Sequence, residues 1–198
     1  MTAMLNSCLD WFRRNVEVGA VPFMDKDGVE DGDQGKNRKP HDHNRDYAGE
    51  PIYPTVAAVK NMLPGWSGGK LKVALDLHCP MLRSAGHELV HFVGGPKPEL
   101  WRRATRLSAL VEKDTANGPL SSFVRDNLPF GKSWNTESNG QNQTFASWVR
   151  TIPDVEIGCT IELPYATAHC QEVNADSTRA YGRALATAIR EYLLEDSQ

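Results

Sequence analysis

The stretch Val155–Tyr165, VEIGCTIELPY, has the composition of a strand inside a sheet. Its apolar and β-branched residues form a nearly continuous run, which is typical of a strand covered on both faces. The run carries Glu162 near its end, and Pro164 then removes a backbone donor, so the strand cannot continue. The sequence therefore predicts a carboxylate at the end of a buried strand.

A second run of the same character is Lys70–Pro80, KLKVALDLHCP. It ends in His78, because the following Pro80 cannot take part in a ladder. Asp76 precedes the histidine by two residues, so both side chains fall on one face of the strand, where the carboxylate could orient the imidazole. A lone histidine of this kind is also compatible with a hydrogen-bonded residue at a sheet edge.

Helices and further strands are predicted from the spacing of apolar residues along the rest of the chain. Strands that alternate with helices predict a single α/β domain over residues 1–198, with a mixed, mostly parallel sheet flanked by helices. In such sheets ligands bind beyond the carboxyl ends of the strands, so His78 and Glu162 are predicted to share a site. The predicted helices are Leu5–Asn15, Thr55–Met62, Pro98–Asp114 and Ser177–Leu194, and the predicted additional strands are Val18–Met24 and Glu88–Val93.

Composition excludes some classes of function. The net charge of −3, from 22 basic and 25 acidic residues, offers no broad basic surface for nucleic acid. No segment approaches the ~20 apolar residues that span a bilayer, and the first residues lack the pattern of a secretory signal, so a cytoplasmic location is expected. The four cysteines form no close pairs, which favours reduced thiols, and Cys79 and Cys159 are predicted to be buried.

Two long polar segments interrupt the predicted elements. Gly32–Tyr47, GDQGKNRKPHDHNRDY, contains Arg38, Asn44 and Arg45, which could clamp a carboxylate because guanidinium and amide groups offer several donors. A solvated loop with ordinary charges is the alternative. Asn117–Thr144 is too polar for the predicted core and is long enough to act as a functional loop or lid over a site.

Three segments together carry a resemblance to a known family. They are Asp25–Tyr47, Leu75–Pro80 (LDLHCP) and Cys159–Tyr165 (CTIELPY). In order and residue type they resemble the zinc carboxypeptidases of the carboxypeptidase A-like family, and the resemblance extends from about Val21 onward. It implies a hydrolase that removes C-terminal amino acids from peptides or proteins.

The resemblance also implies a role for each matching residue. His78 corresponds to the last zinc ligand and Glu162 to the catalytic general base and acid. Arg38 corresponds to the arginine that polarises the scissile carbonyl, and Asn44 with Arg45 to the pair that holds the terminal carboxylate. Because the same clamp fits an acylated amino acid, an amidase or deacylase of N-acyl amino acids is a related alternative.

The sequence departs from the family pattern in two places. The family binds Zn²⁺ first through an HxxE pair upstream of the DG turn, but the first histidine of this sequence is His41. The resemblance therefore covers the C-terminal part of the family domain, and a catalytically inactive fragment or a carboxylate-binding module is an alternative. The family's loop tyrosine is also missing between Tyr53 and Tyr165, where Phe145 or Trp148 takes that region.

A different metallopeptidase motif competes with this interpretation. The pentapeptide HELVH, His87–His91, matches HExxH, in which two histidines bind zinc from one helix face and Glu88 acts as base. Gly86 before the motif and Gly94 soon after it disfavour a helix. The sequence favours a short strand here, and the HExxH match is kept as an alternative.

Overall fold

The computed structural model of the chain describes residues 2–33, 35–81, 88–139 and 143–195. Helices and strands alternate through this part of the chain, as an α/β fold requires. The helices are α1 (Thr2–Asn15), α2 (Lys26–Asp31), α3 (Pro54–Ser67), α4 (Pro98–Thr115), α5 (Phe145–Val149) and α6 (Ala175–Glu195), and the strands are β1 (Val73–His78), β2 (His91–Val93), β3 (Ile157–Glu162), β4 (Thr167–Ala168) and β5 (Gln171–Glu172).

The main sheet is mixed and has the order β1-β3-β2, so the strand predicted from VEIGCTIELPY is its centre. β1 runs parallel to β3, whereas β2 runs antiparallel to it. This confirms the mixed sheet, although only one of its two strand pairs is parallel. Among the described residues β1 is an edge strand of the sheet, and its Leu77 is 58% exposed.

One face of the sheet forms the main core. Phe92, Ile161 and Tyr192 are each 0% exposed in a cluster that joins the sheet to α4 and α6. Helical spacing on α4 places Leu107 and Val111 in the same cluster, as the amphipathic pattern predicts. Each such side chain contributes ~1.5–3 kcal/mol on burial, so this layer fixes the position of the strands.

The opposite face of the sheet is polar and carries α5. Asp76, Thr160 and Glu162 alternate with the apolar residues of their strands and therefore project from this second face. Gly158 lies on the same face, and a Cβ built there would stand 2.7 Å from Cγ2 of Val149 in α5. The glycine thus allows α5 to lie directly on β3.

Gly158→Ala is expected to lower the free energy of unfolding by ~1–3 kcal/mol, because the added methyl group forces α5 away from β3. Urea denaturation measures the change. Gly182→Ala is the matched control, since a Cβ at that helical position meets no atom within 4 Å. This substitution is expected to stabilise α6 by up to ~1 kcal/mol, because alanine favours a helix more than glycine does. Equal effects of the two substitutions would contradict the contact between α5 and β3.

A smaller core holds the polar loop against α3 and α5. Tyr47 is 5% exposed and stacks on Trp148 with ring centroids 5.7 Å apart. Val56 and Val59 of α3 complete this second core, together with the partly buried Phe145. The end of the loop is therefore anchored between two helices.

Two predicted elements differ from the structure. Val18–Met24 is not a strand, and Val18 is 71% exposed, because no strand in the described part of the chain covers this apolar run and Pro22 lacks a backbone donor. Helix α3 continues beyond the predicted end at Met62 and passes through Pro64. It ends where Gly68 adopts a left-handed conformation with φ of 53°.

The prediction that Asn117–Thr144 is too polar for the core is wrong for part of the segment. Leu120 is 1% exposed and Asn135 is 1% exposed. The amide nitrogen of Asn135 donates to the backbone oxygens of Gly94 and Leu128, so a polar side chain satisfies buried carbonyl groups. Isolated parallel bridges join Val90 to Ser122 and Val93 to Leu128, which attaches the segment to β2.

The two predicted buried cysteines differ in their surroundings. Cys159 is 1% exposed within β3, and burial raises the pKa of its thiol to about 12. The prediction that Cys79 is buried is wrong, because the residue is exposed. It follows His78, the last residue of β1, and so lies outside the strand. None of the described helices combines the length and apolar character that a membrane crossing demands.

Candidate functional site at the carboxyl ends of β1 and β3

His78 and Glu162 lie side by side at the carboxyl ends of two parallel strands. They are register partners in the ladder between β1 and β3, so their side chains leave the sheet on the same face. Glu162 is 5% exposed, whereas the side chain of His78 is 39% exposed. The site therefore combines an accessible imidazole with a carboxylate that is almost withdrawn from solvent.

Asp76 connects this pair to the rest of the site. One of its oxygens, Oδ2, accepts hydrogen bonds from Nδ2 of Asn44 at 2.9 Å and from Oγ1 of Thr160 at 3.2 Å. The same oxygen lies 3.6 Å from Nδ1 of His78. The predicted contact between Asp76 and the imidazole is thus present, and it directs Nδ1 toward the carboxylate.

The charges around His78 determine its protonation. Burial by itself lowers the pKa of the imidazole, but the contact with the Asp76 carboxylate and its charge outweigh it. The charges of Glu162 and Asp42 act in the same direction, and together they raise the pKa of His78 to about 9. The neighbouring carboxylates therefore favour the protonated form of the ring.

Asn44 reaches the site from the polar loop. Its Nδ2 donates to Asp76, and its Oδ1 accepts a hydrogen bond of 2.9 Å from the backbone nitrogen of Phe145. Arg45 follows it in a short 3-10 turn, His43–Arg45, and its Nη1 donates to the backbone oxygen of Asn44 at 3.0 Å. Within the described parts of the chain, the partly buried Arg45 forms no ion pair with a carboxylate.

Buried Asp46 holds this turn in place. Its carboxylate is 3% exposed and accepts hydrogen bonds from the backbone nitrogens of Ile52 and Tyr53 and from His41. Burial acts to raise the pKa of Asp46, but these donors outweigh it and the pKa is lowered. The segment that carries Asn44 and Arg45 is therefore a fixed loop and not a loose linker.

Arg38 is engaged by two carboxylates. Its Nε and Nη2 donate to the two oxygens of Asp25 at 2.5 and 2.6 Å, and its Nη1 lies 3.1 Å from Asp33. Gly28 makes the first pair possible, since a Cβ there would stand 2.4 Å from Oδ2 of Asp25. The pair lines a cleft of about 690 Å³ together with His43, whose Nδ1 lies 3.7 Å from Asp25.

The pair between Asp25 and Arg38 makes stability depend on pH. The hydrogen bond from Arg38 is the main cause that lowers the pKa of Asp25 from 3.8 to about 2; burial opposes the shift, and Gly28 and His43 support it. Because the folded state binds this proton more weakly than the unfolded state, the stabilisation is fully present above pH 3.8 and is lost as the pH falls toward 2.

Asp25→Asn is therefore expected to lower the urea midpoint at pH 6, and the deficit relative to the wild type should shrink between pH 4 and pH ~2.5. Asparagine keeps an oxygen that can accept from the backbone nitrogen of Gly28, so the start of α2 is preserved. Glu30→Gln, in an exposed pair with Lys26, is the control. A deficit that stays constant with pH would contradict the role of the Asp25 carboxylate.

The described residues do not provide a complete metal site. Nowhere in residues 2–33, 35–81, 88–139 and 143–195 do three or more His, Cys, Asp or Glu side chains stand close enough together to hold a metal ion. A catalytic zinc ion needs three protein ligands in addition to water. His78 supplies one candidate ligand, so the described residues by themselves do not fit zinc.

The part of the HExxH segment that the structure describes, residues 88–91, is not helical. The predicted strand Glu88–Val93 is confirmed only for His91–Val93, since Glu88 lies in a turn, and His87 lies outside the described residues. Nδ1 of His91 lies 3.1 Å from the backbone oxygen of Leu89, and burial lowers the pKa of this imidazole. In the ladder between β2 and β3, His91 is the register partner of Glu162, so it flanks the proposed site on the other side of β3 from His78.

Sequence reasoning missed two residues that organise the site. Thr160 precedes Glu162 by two residues, and the period of a strand already places both side chains on one face. Asp25 stands three residues before Gly28 at the start of α2, a spacing typical of a helix N-cap. Its pairing with Arg38 had no local signal, because the two residues are 13 positions apart.

The structure brings together Asn44, His78 and Glu162 through Asp76 and the strand register, whereas Arg38 is bound in a separate cluster with Asp25 and Asp33. No model of a known protein family matches the chain, and a search of curated proteins finds no match. Among solved structures, the crystal structure of a metallo-carboxypeptidase from Burkholderia cenocepacia is similar, with a TM-score of 0.66 and 16% identity. The similarity covers 87% of this chain and 43% of that chain, so this chain spans less than half of that protein. The chain thus has a fold distantly similar to part of a metallo-carboxypeptidase.

Proposed function

We propose that this chain is the part of a metallocarboxypeptidase-like hydrolase that carries the general base and one metal ligand. Its substrates would be peptides or proteins with a free C-terminus. The observation that supports the proposal best is the register of His78 with Glu162 at the carboxyl ends of parallel strands, where α/β sheets bind ligands.

The chain's own residues account for several tasks of such a reaction. Glu162, held in a site of low solvent access, would take a proton from water and return it to the departing amine. Arg45 would bind the terminal carboxylate, because its guanidinium keeps donors available for a planar acceptor. Arg38 could stabilise the oxyanion only by giving up a present partner, and Asp33, whose side chain is 43% exposed, is the easier one to release.

The proposal is tested on the purified chain by measuring bound zinc and peptide hydrolysis together. We expect cleavage of an N-acetylated dipeptide with a free carboxylate but not of the same dipeptide with a C-terminal amide, and any zinc bound with it would need ligands beyond the described residues. An N-acyl amino acid included in the same assay separates carboxypeptidase from deacylase activity. Cleavage of the amide at an equal rate, or no cleavage of any substrate with zinc present, would contradict the proposal.

A second candidate function is a carboxylate-binding module that lacks turnover. It is favoured by the absence of a three-ligand group among the described residues and by the availability of Arg45. The module would bind the free dipeptide more tightly than its amide but would release it unchanged. Binding measured by NMR in parallel with the hydrolysis assay distinguishes the two functions.

A further inference from the structure

We infer that Asn44 is a positioning residue that ties Asp76 to helix α5, and that it is not a ligand of the substrate's carboxylate. The inference rests on the proposed function, and it gives Asn44 and Arg45 two different roles. Arg45 alone is then left to bind the terminal carboxylate.

The first argument is that the Asn44 side chain already makes two hydrogen bonds within the protein. Its nitrogen donates to Oδ2 of Asp76 at 2.9 Å, while its oxygen accepts from the backbone nitrogen of Phe145 at 2.9 Å. Both ends of the amide are therefore engaged in contacts between separate parts of the chain, 32 and 101 residues away. A ligand-binding amide would instead direct its donors toward open space.

The second argument is electrostatic. A substrate carboxylate on the nitrogen of Asn44 would stand next to the carboxylate of Asp76, which already accepts from one of the two donors of that nitrogen. Two carboxylates that share one amide nitrogen repel each other, and the repulsion is strongest where water is excluded. Arg45 has the opposite property, since it brings a positive charge and has no carboxylate partner within the described residues.

The third argument concerns helix α5. Phe145 is its first residue, and the first N–H groups of a helix have no partner inside the helix. Asn44 supplies that partner, while Thr144 caps the nitrogen of Ser147. Because α5 lies on the polar face of the sheet, the bridge fixes Asp76, and through it the direction of Nδ1 of His78.

The experiment compares Asn44→Ala with Arg45→Ala in two measurements. The first is the exchange rate of the Phe145 amide proton with solvent, and the second is the affinity for N-acetylglycine measured by NMR titration. We expect Asn44→Ala to speed exchange at Phe145 at least tenfold and to change the affinity less than threefold. Arg45→Ala is expected to leave exchange unchanged and to weaken binding at least tenfold.

The inference is overturned if exchange at Phe145 is unchanged in Asn44→Ala, or if this variant weakens binding as much as Arg45→Ala does. Should Asn44→Ala not fold, Asn44→Asp keeps an acceptor for Phe145 but replaces the donor to Asp76 with a like charge. It is expected to lower the urea midpoint while exchange at Phe145 stays slow, and an unchanged midpoint would overturn the inference. If the wild type does not bind N-acetylglycine, the proposed function fails, but exchange at Phe145 still decides the bridge.

Discussion

Glu162→Gln is expected to lower kcat/KM for a peptide with a free C-terminus by a factor of ~10²–10⁴. Glutamine keeps the size and hydrogen-bonding shape of the side chain but cannot accept the proton of the attacking water. Initial rates on the N-acetylated dipeptide measure the loss. A urea denaturation curve recorded on the same sample shows whether the buried position tolerates the neutral side chain.

Glu88→Gln is the matched control for this experiment. Glu88 would be the base if HELVH formed a metal-binding helix, but it lies in an exposed turn before β2. Its substitution is expected to leave kcat/KM unchanged. A larger loss for Glu88→Gln than for Glu162→Gln would move the active site to the HExxH segment and would contradict the proposed function.

Phe92→Ala is expected to lower the free energy of unfolding by ~3–5 kcal/mol, the range for removal of a large buried aromatic side chain. Phe92 is 0% exposed and faces α4 and α6 from strand β2. Leu77→Ala, at the 58% exposed margin of β1, is expected to change stability by no more than ~0.5 kcal/mol. Both residues are register partners of Ile161 and lie on one face, so similar losses in urea denaturation would mean that the core on this face is not centred on β2 and β3.

The sequence predicts the central features of this fold because their signals are local. Continuous apolar runs identify β1 and β3, and the prolines after them place His78 and Glu162 at strand ends. Amphipathic spacing likewise identifies α4 and α6 within a few residues of their ends. The juxtaposition of His78 with Glu162 then follows from a general property of parallel strands.

Other features depend on partners far along the chain, and no local pattern reveals them. The apolar run Val18–Met24 has the composition of a strand, but no strand that the structure describes pairs with it. Asn135 is polar, yet it is buried because distant carbonyl groups need its donors. The binding of Arg38 by Asp25 and Asp33 is equally invisible to motif comparison, which assigns the arginine a role without its partners.

The position of β1 at the edge of the sheet leaves part of its backbone without a strand partner among the described residues. Lys72 and His78 direct their carbonyl oxygens toward β3, so the alternating residues Val73, Leu75 and Leu77 direct their backbone groups outward. An apolar strand with outward backbone donors and acceptors is a template on which other chains can align and aggregate. Among the described residues, the strand that presents His78 is therefore also an edge at which another chain can pair.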